Sequence, residues 1–346
     1  MEEKYFAAQN SSRGFISYYR DAFGSAERRY IIKGGPGTGK SYFLRKLAER
    51  AEREGFSTVY IYCSSDPLSL DGIIIDGRFA LFDGTAPHAE EASFPGARDE
   101  LIDLGRFWNS DALKEKKSEI QELSSKKSAA YARAYDCLGA VGKTEDAIAR
   151  LLEPCVLRKK LEAAAKRYLR HLPDGNKMKI TNLAVNSIGM RGEVRFSTLE
   201  EKNLHAISVS DVYHTAHIFF DALIREGSKK GLCMRVSHDP VMPEYADAVE
   251  FSDYGLVFYL GEGNGKRVNM QRFIDAEKAK GIRRAYRELV ACEASLLNSA
   301  RSALADVRQN HFELEKIYIR AMDFDAKDRF TEQFANSLML ALRKKV

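Results

Sequence analysis

The chain has no apolar run of the roughly 18 residues that would span a bilayer, so none of its 346 residues reads as part of a membrane helix. Its five cysteines (Cys63, Cys137, Cys155, Cys233, Cys292) form no Cys-x-x-Cys pair and have no histidine at finger spacing. Neither a disulfide frame nor a zinc site is indicated, and the thiols read as reduced and mostly buried. The opening MEEKYFAAQNSS is acidic, with no basic segment leading into an apolar one. No secretory signal is expected, and the expected compartment is cytoplasmic. A net charge of +5 is too mild for this length to demand nucleic acid, which is not favoured as a partner.

What is present is the composition of a folded chain, 45% hydrophobic and 30% charged, long enough for two units. RYIIK (29–33) reads as a buried strand, and SYFLRKLAERAEREG (41–55) as an amphipathic helix stopped by Gly55. STVYIYC (57–63) and RFALF (78–82) read as further strands joined by a polar connection through Asp66-Pro67. This order predicts an α/β sheet. Residues 110–171 change to Ala, Lys, Glu, Leu and Arg, predicting a helical arm of two long helices that turn near GAVGK (139–143), with Pro154 kinking or ending a segment. LPDGNKMK (172–179) is the linker candidate, dividing a first domain, 1–175, from a second, 176–346.

Between strand and helix, Gly34-Gly35-Pro36-Gly37-Thr38-Gly39-Lys40-Ser41 matches G-x-x-x-x-G-K-[ST] at every defined position and is followed by Tyr42. Glycines let backbone N–H groups wrap a phosphate chain, Lys40 is placed to reach its β and γ oxygens, and Ser41 offers a hydroxyl to Mg²⁺. A metal carboxylate is expected at the end of another buried strand, and Asp83 after Phe79-Ala80-Leu81-Phe82 fits. Gly84 follows it where some ATPases carry a glutamate, so the general base stays open among His88, Asp66, Glu90 and Glu91. Arg98, Arg133, Arg150 and Arg158 are candidates for neutralising charge at the transferring phosphate. The basic stretch from Arg158 to Arg170, with Tyr168 among its charges, reads as a solvated helix face rather than a polyanion track.

The second half repeats the order of the first. Without gaps, Tyr30–Gly55 falls on Ala206–Gly231, and Asn10-Ser11 on Asn186-Ser187. After a three-residue deletion Asp66-Pro67 meets Asp239-Pro240, and Asp83 falls on Leu260. At this offset Thr215, Ala216 and His217 replace Gly39, Lys40 and Ser41. The expectation is a P-loop NTPase fold in two tandem copies, each with a helical arm, of which the second has lost its nucleotide site. His205, His214, His217 and His238 scatter around that lost site with no fixed ligand spacing.

YFAAQNSSRGFISYY, IIKGGPGTGKS and LFDGTAPHAEEASFPGARDELIDLGRFWN together resemble a family of bacterial tandem P-loop proteins described as ATPases or ATP-binding proteins. The resemblance spans essentially the whole chain and is strongest over 4–113. It implies nucleotide binding at Gly34 to Ser41 and a role for Asp83 and the DGTAPH loop. Members typically carry a P-loop in each half, and this chain departs from them at 210–217. The expected function is Mg²⁺-dependent ATP hydrolysis. Two alternatives stand beside it: a kinase in which Asp66 or the DGTAPH loop positions an acceptor, and a nucleotide-gated interaction module with little turnover. ATP is preferred to GTP because no guanine-reading N-K-x-D is evident in the first half. A protein partner or second substrate would meet the helical arms or the second half.

Overall fold

A computed structural model describes residues 2–87, 89–263 and 265–344. The first half runs β1 (Glu3–Phe6), β2 (Ala8–Ser11), β3 (Gly14–Ser17), α1 (Tyr19–Phe23), β4 (Arg28–Lys33), α2 (Lys40–Arg53), β5 (Thr58–Tyr62), β6 (Leu70–Ile75), β7 (Phe79–Asp83) and β8 (Asp99–Asp103). Helices α3 (Ser110–Glu115), α4 (Lys117–Leu152) and α5 (Arg158–Leu169) follow. The second half runs β9 (Lys179–Leu183), β10 (Asn186–Gly189), β11 (Gly192–Arg195), α6 (Thr198–Lys202), β12 (His205–Ser210), α7 (Ala216–Lys229), β13 (Cys233–His238), β14 (Ala246–Phe251), β15 (Leu256–Leu260) and β16 (Arg267–Asn269). It closes with α8 (Ala276–Arg320) and α9 (Phe324–Arg343). Among the described residues no helix is long and apolar enough to cross a membrane.

The strands form two six-stranded, mostly parallel sheets, ordered β1-β5-β6-β7-β4-β8 and β9-β13-β14-β15-β12-β16. The two orders are the same, with one strand in each, β6 and β14, antiparallel to its neighbours. The chain is therefore an α/β protein with an internal repeat. Strand β6 lies within the stretch expected to be a polar connection through Asp66-Pro67. In the sheet, Gly72 lies so close to the Phe23 ring and the Leu81 carbonyl that a Cβ there would sit 2.7 Å from the ring.

Packing sharpens the repeat. Ile32 shares a core with Phe43 of α2, and Val209 shares one with Phe219 of α7. Ile32 pairs with Asp83 on β7 just as Val209 pairs with Leu260 on β15. Strand equivalence is thus one residue off the ungapped alignment, because the loop before α7 spans 211–215 and the loop before α2 spans 34–39. The equivalence of Asp83 and Leu260 holds.

The arm differs from expectation. Instead of turning at GAVGK, α4 is one helix of 36 residues. Gly142 lies against Ser12, where a Cβ would come within 2.5 Å of the serine Cβ, so that glycine serves close packing rather than a turn. Pro154 does mark the end of the segment, in a short 3-10 turn after Leu152. Helices α4 and α8 lie antiparallel: the Asn109 amide bonds the Ala321 carbonyl at one end, and the Asp275 amide bonds the Cys155 carbonyl at the other. Adding 166 carries Asn109 to Asp275, the N-caps of α3 and α8, and carries Val156 to Met322 just past the arm helices.

The last helix of each half covers the other half's sheet. Leu161, Ala164, Ala165 and Leu169 of α5 pack with Phe219, Phe220 and Leu223 of α7. Ala335, Leu338, Met339 and Leu342 of α9 pack with Phe43, Leu44 and Leu47 of α2. Each large apolar side chain so covered contributes about 2 kcal/mol. The packing therefore does not divide at 175/176, since 158–169 belongs to the second sheet and 324–343 to the first. Tyr168 stands edge-on to Phe219 and Phe258, half-buried against the core, while the charges from Arg158 to Arg170 are exposed, the solvated face that was expected.

Candidate functional site

Strand β4 ends at Lys33, the glycine-rich loop 34–39 follows, and α2 starts at Lys40. Gly37 and Gly39 hold φ of 71° and 77°, a region L side chains rarely enter. At Gly37 there is also no room, because a Cβ would lie 2.9 Å from the Glu315 carbonyl oxygen of α8. The loop is thus lodged under the end of the arm, with Trp108 and Tyr318 over Gly35.

Lys40 Nζ donates to the carbonyls of Gly34 (2.6 Å) and Gly35 (2.9 Å) and lies 3.4 Å from Asp83 Oδ2. The Thr38 hydroxyl donates to Gly35 O, and the Thr85 hydroxyl to Gly34 O. Asp83 Oδ1 in turn accepts from the Thr85 amide at 2.8 Å. The Ser41 hydroxyl oxygen accepts from the Leu70 amide at 3.0 Å. Lys40, Ser41 and Asp83 are therefore brought together at the carboxyl ends of β4 and β7. Burial pushes the Asp83 carboxyl above the ordinary aspartate range, Lys40 opposing and Asp71 adding to the shift. Asp71, buried on β6, follows the register Gly72↔Phe82 to stand opposite Asp83. It is the second acid of the site, on a strand whose Asp-Gly start has no strand-like pattern.

The first turn of α2 has no side-chain cap on its amides, and its N-cap is Gly39. Helix α7 begins differently. The Asp211 carboxylate accepts from the amides of Tyr213 and Ala216 and from the Thr215 hydroxyl. In the second half a carboxylate of the chain itself fills the helix end that the first half leaves open to an anion.

Cations gather around the first loop from elements the sequence did not connect to it. Lys327 of α9 is 2% exposed and sits with Nζ 3.2 Å from where a Cβ on Gly39 would stand. It lies 4.4 Å above the Tyr42 ring centroid and 2.8 Å from Asp328. Its equivalent in the second half is Leu161, an ordinary core residue. Lys127 of α4 is lowered by burial, with the charge of Lys40 lowering it further and Glu315 opposing. Lys127 and Lys327, rather than any of the arginines, are the cations that stand beside this loop.

Other candidates fall elsewhere. Arg98 lies at the opposite end of the strands: its carbonyl accepts from Arg29 N, while the loop begins after Lys33, about 13 Å further along at 3.3 Å per residue. Its guanidinium holds Asp99 at 2.9 Å. Arg133 pairs with Asp306 halfway along the arm, Arg158 pairs with Glu153, and Arg150 is exposed. Asp66 accepts from Arg191 Nε at 2.6 Å, in an ion pair between the halves, and from the Leu68 amide and Ser69 hydroxyl. Glu91 pairs with Lys33, whose ammonium also donates to the carbonyls of Gly84 and Glu90 and so anchors the segment after Asp83. His88 lies outside the described residues. Of the second-half histidines, His205 starts β12 at the end away from the loop, His217 stacks on Tyr245, and His238 meets Asn182 Oδ1.

Comparison with family models, with characterised proteins and with solved structures found no match for the chain.

Proposed function

We propose that the chain is a Mg²⁺-dependent P-loop nucleoside triphosphatase that uses ATP, with one competent site in the first half and a non-binding counterpart in the second. The observation that carries this reading is the contrast between the two helix ends. One is uncapped and set beside Lys40, Ser41 and Asp83; the other is closed by Asp211. An uncapped helix end beside a lysine and a serine attracts phosphate, and the nearby carboxylate suits the metal that accompanies it. The resemblance carried by GGPGTGKS and DGTAPH points the same way.

In this reading the phosphates displace the Lys40 ammonium from the carbonyls of Gly34 and Gly35. Ser41 and Asp83 would hold Mg²⁺, directly or through water, and the ion would neutralise charge on the β and γ oxygens. Asp71, opposite the metal carboxylate on the neighbouring strand, would serve as the base that orients water. Lys127 and Lys327 bring positive charge from the arm and from α9. The test is incubation of the purified chain with ATP and Mg²⁺ and no acceptor. Release of ADP and free phosphate, lost in Lys40→Ala, is expected. Turnover only on adding an acceptor would instead establish a kinase, tight binding without turnover a switch, and full activity in Lys40→Ala would refute the site.

A further inference from the structure

The two ends of the arm differ in charge, although Glu315 accompanies the cations at the first. The offset of 166 that relates the arm helices takes Lys127 to Glu293 and His311 to Glu145. At the first loop the arm therefore offers Lys127 and His311. At the second it offers two carboxylates, and these face a histidine of the loop, His214.

His214 Nδ1 lies 2.9 Å from Glu145 Oε1 and 3.9 Å from Glu293 Oε2. One ligating atom from each of the three residues lies within 4.8 Å of the others. Glu293 is 8% exposed, and its Oε2, turned toward this cluster, has no hydrogen-bond partner. Among the described residues neither glutamate has a lysine or arginine ion-pair partner; the two acids hydrogen-bond to one another, and His214 is the cation they share. Asp211, and Asp239 with its buried carboxyl, add to the negative field there. The pocket is short of positive charge, and one buried oxygen in it lacks a donor.

We propose that Glu145, His214 and Glu293 form a site for a divalent transition-metal ion at the second loop. One imidazole nitrogen and two carboxylate oxygens form a donor set that suits Zn²⁺, Mn²⁺ or Co²⁺. Ligands about 2.0–2.2 Å from a tetrahedral ion stand roughly 3.3 Å apart, and the two separations from His214, 2.9 and 3.9 Å, bracket that spacing. Binding takes the place of the Nδ1 proton of His214 and gives Glu293 Oε2 its missing partner. Because the ligands come from α4, the loop before α7 and α8, the ion fastens the arm to the second sheet. A fourth position is left for water or a small ligand.

The test uses the full chain in an Asp83→Asn background, without nucleotide, so that the first site lacks its metal carboxylate and failure here leaves the proposed nucleotide reading untouched. Calorimetric titration with Zn²⁺ is expected to show one equivalent per chain, and Co²⁺ to give a visible absorption band. His214→Asn, which keeps a residue tolerant of the left-handed conformation (φ 54°), and Glu293→Gln should each weaken binding about tenfold or more. Thermal unfolding of both variants checks that they are folded. Absence of saturable binding by the folded chain, or binding that neither substitution alters, would leave the cluster as a histidine–carboxylate ion pair and overturn the proposal.

Discussion

The Lys40 ammonium and the Asp83 carboxylate stand 3.4 Å apart at the ends of neighbouring strands, while the same ammonium donates to two carbonyls of its own loop. In the proposed reading the pair is half of an ion-binding arrangement. Lysine needs an anion to leave those carbonyls for, and Asp83 is held by burial on the protonated side of its ordinary range until a cation comes.

Replacing Asp83 by asparagine should therefore weaken Mg²⁺-dependent nucleotide binding by tenfold or more, measured by titration with and without Mg²⁺. Stability should move the other way. Because the folded carboxyl is raised, the folded state resists releasing a proton that the unfolded chain gives up, and wild-type stability falls as pH rises through that range. Asp83→Asn should show a slightly higher Tm at pH 7 than the wild type, and the gain should vanish below about pH 3, where both side chains are neutral.

Lys327→Leu installs the residue found at the equivalent place in the second half. The variant should fold with unchanged or higher Tm, since a buried ammonium is removed. Its nucleotide affinity should drop about tenfold in a fluorescent-nucleotide titration. Unchanged affinity would confine Lys327 to packing against Tyr42.

Asp99 stands between Arg29 and Arg98 and accepts from the amides of Ser93 and Phe94. Burial alone would raise its carboxyl, but the Arg98 and amide hydrogen bonds, with the Arg29 charge, outweigh it and hold the group at about 2. The stabilisation is full above the unfolded value near 3.9 and is lost as pH falls toward 2. Asp99→Asn, which leaves Arg29 buried without its counter-ion, should cost about 3 kcal/mol at pH 7 in urea unfolding. It should also flatten the wild-type stability loss between about pH 4 and 2.

His217 occupies the place of Ser41 but stacks on Tyr245 at 3.9 Å between ring centroids. His217→Ala should leave nucleotide affinity unchanged and cost about 1 kcal/mol of stability through the lost ring contact. Loss of a second bound nucleotide would show that the second loop still holds one.

Local pattern made the first loop and its flanking strand and helix legible, because an apolar run, closely spaced glycines and a helical stripe all lie within 27 residues, 29–55. It also made the repeat legible through the order of its elements, although Asn10-Ser11 end their hairpin strand while Asn186-Ser187 begin theirs, so those letters do not occupy equivalent places. What stayed hidden depends on contacts between distant segments. Nothing near Lys327 or Lys127 says which loop it will face, and no periodicity says that α5 will cover the second sheet and α9 the first. Gly142 was misread for a related reason. A glycine that admits a neighbour and a glycine that turns a chain look alike until the neighbour, here Ser12, is known.

The exchanged helices set an order of events during synthesis. The core that holds Phe43, Leu44 and Leu47 of α2 is finished only by Ala335 to Leu342, nearly three hundred residues later in translation. Domains that emerge early ordinarily complete themselves before the rest of the chain appears. Here the nascent glycine-rich loop must wait, its core half covered, until α9 has left the ribosome. A chain truncated before α9 would present that apolar face to chaperones and proteases, and the loop without Lys327.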